Sequence, residues 1–410
     1  MSSGGSSGEG LPQEEALTQQ EAFARIRLLR SPYIGGATYL QLLARCGDAT
    51  SALASLPDLA SRGNGARGEG KRPYRAASEA AITAEIAAVK RAGARYIFHD
   101  SADYPPLLRQ SDGAPPILIA RGNPALARRL PVAMVGARNA SAAAARLAEG
   151  WARELAEAGC AVVSGLARGI DTAAHKGALS AATGGTIAVI ASGIDIAYPP
   201  QNAALHEQIA AQGLLLTEQP PGTQPVAHLF PARNRIIAGI ACGTLVVEAA
   251  VGSGSLITAR LAGEAGREVM AVPGSPLDPR SRGCNALIRD GAVLVQGPED
   301  VLELIAGFAA LLDGGMDAWL MVDDAAPHAA PHAAPPRPVA PSKASPPSAP
   351  TSDEALPLEL AALLSMAPIG IDDLVRQSGA EAGAVQLALV ELELAGRLAR
   401  HPGGRVSLTG

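Results

Sequence analysis

Val135-Gly136-Ala137-Arg138, Ser164-Gly165-Leu166-Ala167-Arg168-Gly169-Ile170-Asp171 and Pro231-Ala232-Arg233-Asn234-Arg235 punctuate residues 130–298, and their spacing decides the fold. The first closes the apolar run Val132–Val135 and the second closes Ala161–Val163. The third is followed at Val246–Thr258 by Val-Val-Glu-Ala-Ala-Val-Gly-Ser-Gly-Ser-Leu-Ile-Thr. Continuous apolar runs at 132–135, 160–164, 186–191, 214–217, 244–248, 268–272 and 292–295 read as strands covered on both faces. Helices are expected between them at 141–158, 172–182, 202–212, 233–241, 255–266 and 283–290, with Ser141 and Asp171 at N-cap positions. The alternation predicts an α/β fold: an extended Rossmann-like, doubly wound and mostly parallel sheet.

In such a sheet ligands bind outside the carboxyl ends of the strands, where these loops lie. Glycines let a ligand approach the backbone, helix N-termini attract anions and arginines add charge. The expected ligand is therefore anionic and carries phosphate. Arg138 and Arg168 each follow a strand, and Arg233 and Arg235 precede a helix. Four guanidinium groups at one edge suit a polyanion better than one mononucleotide.

The totals exclude several classes. A net charge of −5 over 410 residues gives no global attraction to nucleic acid, so such binding must rest on a local basic patch. Four dispersed cysteines (Cys46, Cys160, Cys242, Cys284) form no CxxC pair, which argues against zinc and a disulfide framework and for a reducing cytoplasm. No signal sequence and no apolar run of about 18 residues is present, so a soluble protein without membrane association is expected. The first loop lacks G-x-G-x-x-G and the second strand ends in Ser164, not an acidic residue, which disfavours NAD and FAD; no G-x-x-x-x-G-K-[ST] occurs, which excludes a P-loop ATPase.

Outward from the centre, residues 1–15 read as a polar leader and 16–75 as a helical domain, with helices at Gln20–Leu29, Gly36–Cys46, Ala49–Leu53 and Leu56–Ser61. The turn Ser31-Pro32-Tyr33-Ile34-Gly35-Gly36 resembles a helix-hairpin-helix or sterile-alpha-motif-like unit. The Rossmann-like domain is expected over 76–310, entered through helix 78–92 and the strands Tyr96–Phe98 and Pro116–Ala120. Residues 311–355 read as a linker, in which 325–355 repeats Ala-Pro and Pro-His units, the composition of an extended segment; His328 and His332 there do not make a metal site. In 356–410, Ile371–Gln377, the turn Ser378-Gly379-Ala380 and Ala384–Ala395 have helix-turn-helix spacing, and Leu398–Arg400 with Val406–Leu408 completes a winged helix. Its second helix carries Glu391 and Glu393 and no lysine or arginine, so a protein-contact or vestigial role is favoured over sequence-specific DNA reading.

Other side chains admit two roles. Asp171 and His175, four apart and near Ser164, have the spacing of hydrolytic machinery. The favoured reading makes Asp171 a helix cap and bonds His175 to a loop carbonyl. No G-x-S-x-G elbow accompanies them. Glu248, before Gly252-Ser253-Gly254-Ser255, either orients Arg233 or Arg235 or acts as a carboxylate catalyst.

Order and spacing of these motifs resemble the DprA/Smf family. The resemblance rests on the three loops, Ala174-His175, Gly185-Thr186-Ile187-Ala188-Val189, Gly193-Ile194-Asp195 with Tyr198-Pro199, and Phe230-Pro231. It rests also on Ser253-Gly254-Ser255-Leu256-Ile257-Thr258, Val272-Pro273-Gly274, Gly283-Cys284-Asn285 with Leu287-Ile288, and Gly291-Ala292. Thr217-Glu218 stands where the family usually shows Ser-Glu. The resemblance implies a cytoplasmic, non-enzymatic homodimer that binds single-stranded DNA and helps load the RecA recombinase during natural transformation and recombination. It places DNA contacts on Arg138 and Arg168, with backbone from Gly136, Ser164, Gly165 and Gly169. The residue argument extends that pocket to Arg233, Asn234, Arg235, Ser253, Gly254 and Ser255, with Asp171, His175 and Glu248 in support and no metal or cofactor. A competing reading is a nucleoside-monophosphate phosphoribohydrolase-like enzyme with a Gly-rich phosphate site and Glu248 as catalyst.

Overall fold

The structure, a computed structural model, describes residues 17–64, 74–313, 360–361, 363–401 and 403–409. The leader at 1–15 and most of the segments 62–72 and 311–355 lie outside the described residues, His328 and His332 included. The described residues form two compact units, one up to Ile82 together with the segment from 360 onward, the other from Thr83 to the end of the central region.

In the central unit every apolar run between 130 and 298 becomes a strand. In chain order they are β3 (Pro131–Val135), β4 (Ala161–Ser164), β5 (Gly185–Val189), β6 (Leu214–Thr217), β7 (Gly243–Val246), β8 (Glu268–Ala271) and β9 (Val293–Leu294), after β1 (Arg95–Phe98) and β2 (Ile117–Gly122). The sheet order is β1-β2-β6-β5-β4-β3-β7-β8-β9. Strands β3 to β9 pair in parallel, while β1 and β2 add an antiparallel edge beside β6. The chain starts its parallel array at β3, winds out through β4, β5 and β6, then returns to the other side of β3 with β7. The switch point therefore lies between β3 and β7.

Alternation within β3 assigns the two faces. Val132 and Met134 pack with Ala148, Ala152 and Leu155 of α6 (Ala142–Glu157). Ala133 and Val135 pack with Ile236, Ile237 and Ile240 of α9 (Leu229–Ile240). Each fully buried Val, Leu or Ile side chain removes apolar surface worth about 1.5–3 kcal/mol. Small residues let the helices close in: Gly177, on α7 (Ile170–Ser180), would put a Cβ 2.0 Å from the Glu149 carbonyl oxygen. Between these come α8 (Ala203–Gln212), α10 (Gly254–Glu264) and α11 (Arg282–Arg289); α4 (Glu79–Arg91) precedes β1, α5 (Pro106–Arg109) precedes β2, and α12 (Pro298–Asp313) follows the last strand. The Ser141 side chain caps α6 by accepting from the Ala144 N–H. Asp171 is not a cap: Gly169 holds that position and Asp171 lies inside the first turn of α7.

In the other unit α1 (Gln19–Leu29), α2 (Gly36–Cys46) and α3 (Ala49–Asn64) surround Leu28, Tyr39, Leu42 and Leu56. The two short helices expected at 49–61 are one, with Pro57 inside it. Leu56, Leu59 and Ala60 flank that proline and are buried, which offsets the missing backbone donor. The winged helix comprises β10 (Ile369–Gly370), α13 (Ile371–Ser378), α14 (Ala382–Leu394), β11 (Leu398–His401) and β12 (Arg405–Leu408), with Gly379 left-handed at the end of α13. Among the described residues no helix is long and apolar enough to cross a membrane.

Candidate functional site

The loop after β4 is held from five directions. Leu166 sits in the left-handed region at φ 54° and is fully buried, a conformation that persists only where neighbours enforce it. Asp171 Oδ2 accepts the N–H groups of Gly165 (3.1 Å) and Ala167 (3.3 Å). His175 Nε2 accepts the Leu166 N–H at 3.2 Å, so His175 bonds a loop N–H, not the expected carbonyl. Its proton therefore sits on Nδ1 and faces Thr186 Oγ1 at 2.7 Å, and Thr186 donates onward to the Val162 carbonyl. Asn202 Nδ2 donates to the Leu166 carbonyl, and Thr172 Oγ1 to that of Ala167.

Arg233 is the fifth support. Its guanidinium is buried and donates to the carbonyls of Gly165 (2.6 Å) and Val189 (2.5 Å). Burial pushes its pKa down to about 10, opposed by the Asp171 carboxylate, so it stays cationic at neutral pH. Burial pushes the Asp171 carboxyl up, and Arg233 and the two loop donors pull it back. Burial lowers His175 to about 3, with Arg233 adding to the fall, so the ring is neutral. A neutral, fully engaged imidazole beside an engaged carboxylate is scaffold chemistry, and the buried Ser164 hydroxyl beside Asp171 is itself committed, donating to the Met134 carbonyl at 2.7 Å.

Two adjoining cavities open over this scaffold. The smaller, about 260 Å³, is lined by Arg138, Gly165, Arg168, Tyr198, Phe230 and Arg233 among others. The larger, about 750 Å³, lies at the switch point between the loops after β3 and β7. Gly136, Arg138, Asn234, Ser253, Gly254, Ser255 and Arg280 border it. Arg138, Phe230 and Arg233 border both. Arg138 and Arg168 are exposed. The Arg138 guanidinium stands 5.2 Å from the Phe230 ring centroid, and Tyr198 meets Phe230 at 5.7 Å. Cationic groups thus rim an aromatic floor. Ser253 caps α10 and its hydroxyl meets that of Ser255 at 2.8 Å.

The chain is similar to known proteins along most of its length. Residues 95–306 match the family described as DNA recombination-mediator protein A; 19–88 match a DprA-like N-terminal HHH domain and 343–404 a DprA winged helix domain. Protein Smf of Synechocystis is 35% identical over 319 residues, covering 76% of this chain and 79% of that one. Protein Smf of Escherichia coli is 38% identical over 312 residues, covering 75% and 76%. The chain belongs to the DprA/Smf family. The crystal structure of DNA processing protein A from Streptococcus pneumoniae superposes with a TM-score of 0.57 at 36% identity, covering 70% of this chain and 98% of that one.

For a DprA/Smf chain, the structure sorts the expected site residues into groups. Arg138, Arg168, Gly136, Gly165, Asn234 and Ser253–Ser255 line the cavities. Ser164 and Gly169 do not: Ser164 is interior, and Gly169, at φ 74°, would put a Cβ 2.2 Å from the Ala137 carbonyl oxygen. Gly165 likewise leaves room for Arg233, since a Cβ there would lie 2.1 Å from its Nη1. Both glycines are required by the approach of chain to chain, and only Gly165 also faces a cavity. Arg235 lies off both cavities and is engaged by Glu218 and by the Gly113 carbonyl at 2.6 Å. Glu248 orients neither Arg233 nor Arg235: it accepts the Ser141 N–H at 2.7 Å and meets Arg280 at 3.5 Å. Tyr198, Phe230 and Arg280 were absent from the expected set. Phe230 and Tyr198 stood inside family-like motifs, but only the fold brings them face to face, and Arg280 lies in a loop without periodic signal.

Proposed function

We propose that the paired cavities bind single-stranded DNA, with Arg138 and Arg168 on phosphates and the Phe230–Tyr198 pair stacking a base. The observation that carries this is the placement of two exposed arginines on one rim around half-buried Phe230 and exposed Tyr198, beside the switch point of the sheet. Aromatic faces accept any base and guanidinium groups track the backbone, the combination used for sequence-tolerant single-strand binding. A narrow cavity admits an unpaired base more readily than a stacked duplex. Ser253–Ser255 at the start of α10 and Arg280 extend the anion-attracting surface along the larger cavity.

In this reading the chain is a cytoplasmic homodimer without catalytic activity that assists RecA loading in natural transformation and homologous recombination. Those finer points rest on the family resemblance. RecA filament assembly on an oligonucleotide, followed with and without the protein, tests the loading role; no change in assembly rate contradicts it.

The phosphoribohydrolase reading would need Glu248 aimed at a bound nucleotide. Its carboxylate is instead engaged by Ser141 and Arg280, which supports binding over catalysis. Titration with labelled single-stranded oligonucleotide, beside incubation with AMP and assay for free adenine, separates the two.

A further inference from the structure

In a winged helix the second helix of the helix-turn-helix is the element that enters the DNA groove. Here that helix is α14, and both of its sides are buried. Val385, Ala388, Leu389 and Leu392 face the winged-helix core with Leu360, Leu374, Leu398 and Val406. Leu387, Val390 and Leu394 belong to a different core, formed with Tyr39, Leu42, Ala52 and Leu56 of the N-terminal helices. Both sets keep three- and four-residue spacing, so the helix carries two apolar stripes. A helix that reads DNA needs only the inner one.

A polar seam closes the second contact. Glu393 accepts from the Thr38 hydroxyl and from Arg400 Nε at 2.8 Å. Arg400 Nη2 donates to Gln41 Oε1 at 3.2 Å, and Gln41 Nε2 donates to Gln386 Oε1 at 2.5 Å. Glu393 and Arg400 side chains are only 12% and 18% exposed. The Glu393 carboxylate lies over the first turn of α2, the end of a helix that favours negative charge. The helix has two glutamates and no lysine or arginine, so phosphate would be repelled where this module is held.

We infer that the outer face of α14 is a protein-docking face whose occupant is the N-terminal helical module of the same chain. The winged helix thus grips protein on the element such folds use for DNA. A partner or a duplex could reach that face only by displacing α2 and α3.

Full-length protein carrying Cys46→Ser, Gln41→Cys and Gln386→Cys, treated when dilute with a short bismaleimide, tests this; the remaining cysteines are buried. The expected product is an internally cross-linked monomer, formed at least tenfold faster than any product of either single-cysteine protein. Arg400→Glu, which sets a second carboxylate against Glu393, is expected to slow it at least tenfold, as is Val390→Asp. The first variant changes only the polar seam, so the test does not depend on a core substitution folding. Saturating duplex oligonucleotide is expected to leave the rate unchanged. A rate no higher than that of the single-cysteine proteins, a covalent dimer as the main product, insensitivity to Arg400→Glu, or tenfold slowing by duplex would each overturn the inference.

Discussion

Arg233 Nη1 lies 2.6 Å from the carbonyl oxygen of Gly165, buried beneath the groove that Arg138 and Arg168 rim. The arginines of the loops thus divide their labour. Arg233 builds the loop after β4 from below, Arg235 ties α9 to Glu218, and Arg138 and Arg168, from the loops after β3 and β4, are the ones offered to solvent.

Arg233→Ala is therefore expected to act on stability. It leaves Asp171 buried without its compensating charge, and breaking such a buried arrangement costs about 3–5 kcal/mol. Chemical denaturation should show a lower midpoint for Arg233→Ala, and the double variant with Asp171→Asn should recover part of the loss. Additive losses in the double variant would contradict the coupling.

Arg138→Ala and Arg168→Ala are expected to do the reverse. Each removes charge-assisted hydrogen bonds to phosphate worth about 1.5–3 kcal/mol, a loss of roughly 10- to 150-fold in single-stranded DNA affinity. Both side chains are exposed, so the thermal midpoint should barely move. Wild-type affinity at moderate salt in either variant would contradict their assignment.

Much of this division could not be read from the chain. The strands of the central sheet were legible as apolar runs, and Ser141 as a cap, because local pattern governs both. Arg233 and Arg138 are both arginines beside loop signals, and nothing local tells the buried one from the exposed one. That difference arises where α9 crosses the end of β4, a long-range packing event. The same is true of His175, whose partner is set by the left-handed Leu166, and of α14, whose second apolar stripe is visible in sequence but whose occupant is not.

His175 gives the fold a dependence on acid. Its folded pKa, about 3, is below the ordinary 6.5, so the native state binds fewer protons between those values. The stability it contributes is complete above about pH 6.5 and is lost as pH falls toward 3, at up to about 1.4 kcal/mol per pH unit. Unfolding free energies measured from pH 7 to 4 should fall less steeply for His175→Asn than for wild type. Equal slopes would show that the ring does not govern this window.

Gly169→Ala should disturb loop and groove together. The left-handed backbone and the nearby Ala137 carbonyl leave no room for a methyl group, so a loss of at least about 1 kcal/mol is expected, with weaker oligonucleotide binding. A variant as stable as wild type would contradict the close approach of the two loops.

The central claim, that the groove tracks a single-stranded polyanion, is tested most directly by affinity for oligonucleotides of increasing length at three salt concentrations. Binding should tighten with length, and log affinity should fall linearly with log salt at about −0.7 per phosphate neutralised, about −1.5 to −3 in all. A flat salt response, with AMP bound as tightly as a long oligonucleotide, would contradict it.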